Sequence, residues 1–155
     1  MFSNEGLRGV TSNNSRSCKA FMHSHTYCGN PLACSAAIEV LNIMEDEKII
    51  EKANKNSIYF NELIKQTLGD YKFVGDIRNI GLINAIELVK NRETKESFDS
   101  KDRIGYQIYK EALKMGVVLR PLGDVIYFNP PLTITREDID FVVDVCDKSI
   151  RKILG

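Results

Sequence analysis

The chain has 155 residues, with 21 Lys+Arg against 21 Asp+Glu and a formal net charge of zero. At 43% hydrophobic and 27% charged residues it has the make-up of a folded globular domain, long enough to bury a core. The charge balance excludes a general nucleic-acid coat and a polybasic membrane binder. No apolar run reaches the ~18 residues of a membrane span, and the opening MFSNEGLRGV lacks a signal-peptide core. The expectation is a soluble, cytoplasmic domain with neither nucleic acid nor membrane as partner.

Residues 1–19, rich in Ser, Asn, Gly and Arg without hydrophobic period, read as a flexible leader foreign to the domain that follows over 20–155. Order is expected from about residues 20–21. A helix is predicted over 30–47. Asn30 caps it, Pro31 takes the first helical position, and Ala33, Ala36, Ala37, Val40, Leu41 and Met44 follow at helical spacing. Leu32, Ile38 and Ile43 fall on its other faces. A helix this apolar all round is buried in something larger than one small sheet, and left bare it favours self-association.

A second helix over 48–68 places Ile49, Ala53, Phe60, Ile64 and Leu68 on one stripe, and Gly69-Asp70 ends it. Strands are predicted at 71–74 and 82–89 with the polar stretch 76–79 between them, then an exposed loop over 90–100. The third helix spans 101–115, with Gly116 at its end. Runs at 117–120 and 125–128 bracket Pro121-Leu122-Gly123-Asp124 as a hairpin, which Pro130-Pro131 stops. Thr135-Arg136-Glu137-Asp138 resembles a capping box. The last helix carries Ile139, Val142, Val143, Cys146, Ile150 and Ile153 on one face. The order α-α-β-β-α-β-β-α predicts an α+β domain with helices packed on a small antiparallel sheet.

Four cysteines (Cys18, Cys28, Cys34, Cys146) form no C-x-x-C pair, and His23 and His25 have no cysteine at zinc-finger spacing. Reduced thiols and no metal site are expected. Walker, G-x-G-x-x-G and G-x-S-x-G motifs are absent from the sequence. Glu45, Asp46 and Glu47 read as a solvated helix end.

Two places could carry chemistry. In His23-Ser24-His25-Thr26-Tyr27-Cys28-Gly29-Asn30-Pro31, hydroxyl and small residues precede a helix N-terminus, which suits a phosphate and equally suits a plain capping loop. In Leu119-Arg120-Pro121-Leu122-Gly123, a proline stiffens the chain beside Arg120. The guanidinium is then either set for bidentate capture of a carboxylate or simply reaching solvent. Tyr127 in the facing strand is a candidate for lining the same pocket.

Both places fit one family. Phe21-Met22-His23-Ser24-His25-Thr26-Tyr27, with Gly29-Asn30-Pro31-Leu32-Ala33 and Ala36-Ala37, resembles a second-half signature of class III pyridoxal-phosphate aminotransferases. Leu119-Arg120-Pro121-Leu122-Gly123, then Ile126-Tyr127 and Pro130-Pro131, narrows the resemblance to one branch. The likeness runs over about 20–154 and leaves out the leader. It implies a fold-type I enzyme that works as a homodimer on small-molecule substrates. This chain would be its C-terminal small domain plus part of a long buried connecting helix.

The resemblance also implies roles for single residues. Thr26, helped by His25, would bind the phosphate of the neighbouring subunit's pyridoxal 5'-phosphate, and Ser24 would border the substrate. Arg120 would pair with a substrate carboxylate, and Tyr127 would line the pocket on the amino-donor side. The family's cofactor-bearing lysine, its aspartate at the pyridine nitrogen and its stacking aromatic would all fall before residue 1. Lys19 is too close to Thr26 to stand in for that lysine. The parent is therefore expected to be a transaminase, and this chain alone to be inactive and to leave the cofactor unbound. The rival readings are another class III aminotransferase, acting on ornithine, acetylornithine or an ω-amino acid, and a non-catalytic small-molecule-binding domain.

Overall fold

A computed structural model of the chain describes residues 29–155. The leader over 1–19, the start of order at 20–21, and Ser24, His25 and Thr26 lie outside the described residues. The chain divides into two compact units, Met1–Leu41 and Asn42–Gly155.

Helix α1 (Pro31–Asp46) starts where the sequence predicts. Asn30 Oδ1 accepts the Ala33 N–H at 3.1 Å, and Pro31 sits at the first helical position, where a missing N–H costs nothing. None of its residues is buried, and Leu32 is 81% and Leu41 64% exposed. The burial expected of this helix therefore needs a cover beyond the described residues, and the apolar surface expected of it when bare is present. Glu45, Asp46 and Glu47 are exposed, as a solvated end requires.

Helix α2 (Ile49–Leu68) buries the predicted stripe of Ile49, Ala53, Phe60, Ile64 and Leu68. Two polar residues share that stripe and tie the helix to the first hairpin. Ser57 Oγ donates to Gly81 O at 2.7 Å, and Asn61 Nδ2 donates to Asn84 Oδ1 at 3.1 Å. The fully buried Asn84 turns its own amide onto Leu82 O at 3.2 Å, so a polar group inside the core keeps its partners.

Strands β1 (Val74–Ile80) and β2 (Ile83–Leu88) form that hairpin, and β3 (Arg120–Leu122) and β4 (Val125–Phe128) the second. All neighbours pair antiparallel in the order β1-β2-β4-β3. The helix expected over 101–115 starts at Ile104, and two strands differ more from the sequence reading. β1 is not 71–74 but contains the polar stretch 76–79. As an edge strand it exposes Asp76, Arg78 and Asn79 while pairing their backbone with β2. β3 is not 117–120 but begins at Arg120 and includes Pro121. An edge strand tolerates proline because the missing N–H need not meet a neighbour. The turn thus shrinks to Gly123-Asp124, with Gly123 at φ 60, a left-handed conformation that glycine adopts without strain.

Helix α3 (Ile104–Lys114) stops at Met115, and Gly116 follows at φ 88. Helix α4 (Arg136–Leu154) is capped by Thr135, whose side chain accepts the Asp138 N–H at 3.1 Å. The inner sheet face (Asn84, Ile86, Leu88, Ile126, Phe128) meets α2, α3 and α4 in one buried cluster, so the fold is α+β with the helices on one face. Cys146 lies fully buried in α4, and burial pushes its thiol pKa up, so it behaves as a small hydrophobe. No helix among the described residues is long and apolar enough to cross a membrane.

One surface charge cluster links α3 to α4. Glu111 accepts from Lys114 at 2.6 Å and from Lys152 at 2.7 Å. The two ammonium groups, Lys114 first, hold its carboxyl at about 2 against an ordinary 4.5. A carboxyl whose pKa is depressed on folding contributes stability above its unfolded value and loses it as pH falls through the folded one. Unfolding midpoints measured from pH 7 to pH 2 are therefore expected to fall more steeply between about 4.5 and 2 in the parent chain than in Glu111→Gln. Parallel curves would refute the linkage.

Candidate functional site

The outer sheet face carries the side chains the core does not take. Directly opposed residues of antiparallel strands share a face. The registers Arg78↔Ala85, Ala85↔Tyr127 and Arg120↔Tyr127 therefore set Arg78, Ala85, Tyr127 and Arg120 in one row across all four strands. In this row the two substrate residues nominated from sequence come together. The Arg120 guanidinium carbon stands 5.5 Å from the centroid of the Tyr127 ring, a cation–π placement. Tyr127 is half-buried and Arg120 exposed.

The two arginines of the row are differently engaged. Arg78 donates through Nη1 to Asp76 at 2.9 Å and to Glu87 at 2.6 Å, and the two acids raise its pKa, Glu87 contributing most. Arg120 makes no ion pair with any acid among the described residues. A guanidinium steadied on a ring, its fork unclaimed among the described residues, is suited to a planar carboxylate. The row itself escaped the sequence reading, because Arg78 and Ala85 join it only once the polar stretch 76–79 is recognised as strand. The alternation of Ile77 and Arg78 before the Gly81-Leu82 turn was the available signal.

The second candidate place is only partly in view. The start of α1 is described, and two of its early N–H groups are already taken. Ala33 N–H goes to the Asn30 side chain, and Cys34 N–H goes to Asn30 O at 2.9 Å. Those two N–H groups are closed to a phosphate, and His25 and Thr26 lie outside the described residues. Among the described residues no group of three or more His, Cys, Asp or Glu side chains is placed to hold a metal.

This α+β arrangement, with helices on one face of a four-stranded antiparallel sheet, is shared with solved transaminases. The family model for class III aminotransferases matches residues 7–150, and the chain belongs to that family, which works with pyridoxal phosphate. The match takes in residues 7–19, which the motif resemblance left out. Among curated relatives, the adenosylmethionine-8-amino-7-oxononanoate aminotransferase of Geobacter sulfurreducens is 44% identical over 140 residues, 90% of this chain and 31% of that protein. The crystal structure of the enzyme of that name from Methanocaldococcus jannaschii superposes with a TM-score of 0.79 at 36% identity, over 89% of this chain and 31% of the other. An (S)-enantioselective omega-transaminase from Thermomicrobium roseum gives 0.81 at 30% identity, over 88% and 30%. The chain thus spans about a third of the length of the relatives it matches.

Proposed function

We propose that the chain forms the C-terminal part of a transaminase that converts 8-amino-7-oxononanoate to 7,8-diaminononanoate in biotin biosynthesis. The observation that carries this reading is the Arg120–Tyr127 pair, a steadied guanidinium without an acid partner among the described residues. The proposed substrate ends in a carboxylate, which the Arg120 fork would grip while Tyr127 closes the side toward the amino donor. The names of the Geobacter and Methanocaldococcus relatives support the same substrate. Ser24 would border the substrate, and His25 and Thr26 would hold the phosphate of pyridoxal phosphate in a cytoplasmic homodimer. S-adenosylmethionine and lysine are the two candidate amino donors.

The 155-residue chain by itself is proposed to be inactive, since it spans only about a third of the relatives' length. The test is a substrate panel on the full-length transaminase. The expected result is a kcat/KM for 8-amino-7-oxononanoate well above that for ornithine. A value no better than with ornithine would overturn the assignment. A second reading, an ω-amino-acid transaminase, draws on the likeness to the Thermomicrobium enzyme, and the same panel separates it.

A further inference from the structure

Arg120 sits three residues before the Gly123-Asp124 turn, and that turn is flanked from three directions. Leu88 N–H donates to Asp124 O at 2.9 Å, fastening the turn to the end of β2. The loop before α3 adjoins the turn as well, Phe98 lining one cavity with Pro121, Gly123 and Asp124. The third is a contact between backbones. Gly105, buried in the first turn of α3, lies so close to the hairpin that a Cβ placed there would overlap Gly123 O and stand 3.1 Å from Pro121 Cβ. The atoms in the way are a carbonyl and a proline ring, neither of which swings aside as a flexible side chain would. Gly105 has an ordinary helical backbone, so its φ does not call for glycine; the space does.

From this we infer that Gly105 is a positioning residue for Arg120. By letting α3 close directly onto the β3–β4 turn, it sets where the guanidinium stands along the outer face of the sheet. Adding one methyl group would push the turn off α3. Because Pro121 stiffens the link between turn and arginine, the displacement would pass to Arg120 rather than being absorbed. This inference rests on the proposed pairing of Arg120 with a substrate carboxylate. The hairpin's fold does not depend on it, since β3–β4 pairing and the Gly123 turn remain.

The test compares parent, Gly105→Ala, Arg120→Ala and the double variant in the full-length transaminase, using 8-amino-7-oxononanoate and its methyl ester as ketone substrates. The parent is expected to prefer the acid. Gly105→Ala should lower that preference by about tenfold or more, the scale of one charge-assisted contact, chiefly through KM. Arg120→Ala should abolish the preference, and adding Gly105→Ala to it should change the preference no further. A variant that was merely less stable would lose both substrates alike. In the 155-residue chain, NMR provides a readout free of activity. The Arg120 guanidinium signals, shifted by the Tyr127 ring, should move in Gly105→Ala and stay in Gly75→Ala, whose Cβ would press first on the Val89 side chain. If the parent shows no acid preference, the functional reading fails. If the parent prefers the acid and Gly105→Ala keeps that preference or leaves the Arg120 signals in place, the positioning inference fails.

Discussion

Replacing Arg120 with alanine in the full-length transaminase is expected to lower kcat/KM for 8-amino-7-oxononanoate by about 30- to 150-fold, mostly through KM. The figure is the loss of a charge-assisted, fork-shaped contact worth about 2–3 kcal/mol, at roughly 1.4 kcal/mol per tenfold. Lysine at the same position should fall between, because it keeps the charge and loses the planar pair of donors. Stability should hardly register the change. Arg120 is exposed on an edge strand, has no acid partner among the described residues, and gives up only a 5.5 Å contact with the Tyr127 ring. The combination distinguishes a binding residue from a structural one. Steady-state kinetics beside thermal melts of the same preparations would show it, and a loss under threefold with the acid would remove Arg120 from the substrate site.

How far the sequence leads follows the strength of local signals. The four helices were legible because their apolar stripes and end residues agree: Asn30 and Thr135 cap, Gly116 closes α3, and the α2 stripe buries as spaced. The edge strands were less so. β1 carries Asp76, Arg78 and Asn79, and β3 carries a proline, and such residues spell loop until a neighbouring strand is known to pair with them. Position in the sheet overrode local preference at both edges. The site shows the same division. The placement of Arg120 beside Tyr127 was legible from the hairpin, whereas the row through Ala85 to Arg78 depends on the β1–β2 register, which no local pattern fixes. The close approach of Gly105 to Gly123 O was invisible in the sequence, since a contact across 18 positions leaves no periodic trace.

The largest effect on stability is expected at Phe60. Its ring is fully buried on α2 and meets Phe128 of β4 edge-to-face, with centroids 5.3 Å apart and planes at 64°. Truncation to alanine removes the transfer energy of the ring, leaves a cavity in a close-packed core and forfeits the aromatic pair, together about 3–5 kcal/mol. Against a typical total of 5–15 kcal/mol that is a large share, and Tm should drop by more than about 10 °C. Leucine at the same position refills much of the volume and should cost less than half as much. Ile58, two residues away on the same helix and 63% exposed, offers the control, and its alanine variant should stay within about 0.5 kcal/mol of the parent. The consequence reaches the outer face as well. Phe128 is the next residue after Tyr127, so a cavity beneath it loosens the strand on which the Arg120–Tyr127 pair is built. Faster hydrogen exchange at the β4 amides in Phe60→Ala, with the β1 amides less affected, would trace that route from core to site. A uniform loss of protection across the sheet would instead mark a global destabilisation with no particular path to Arg120.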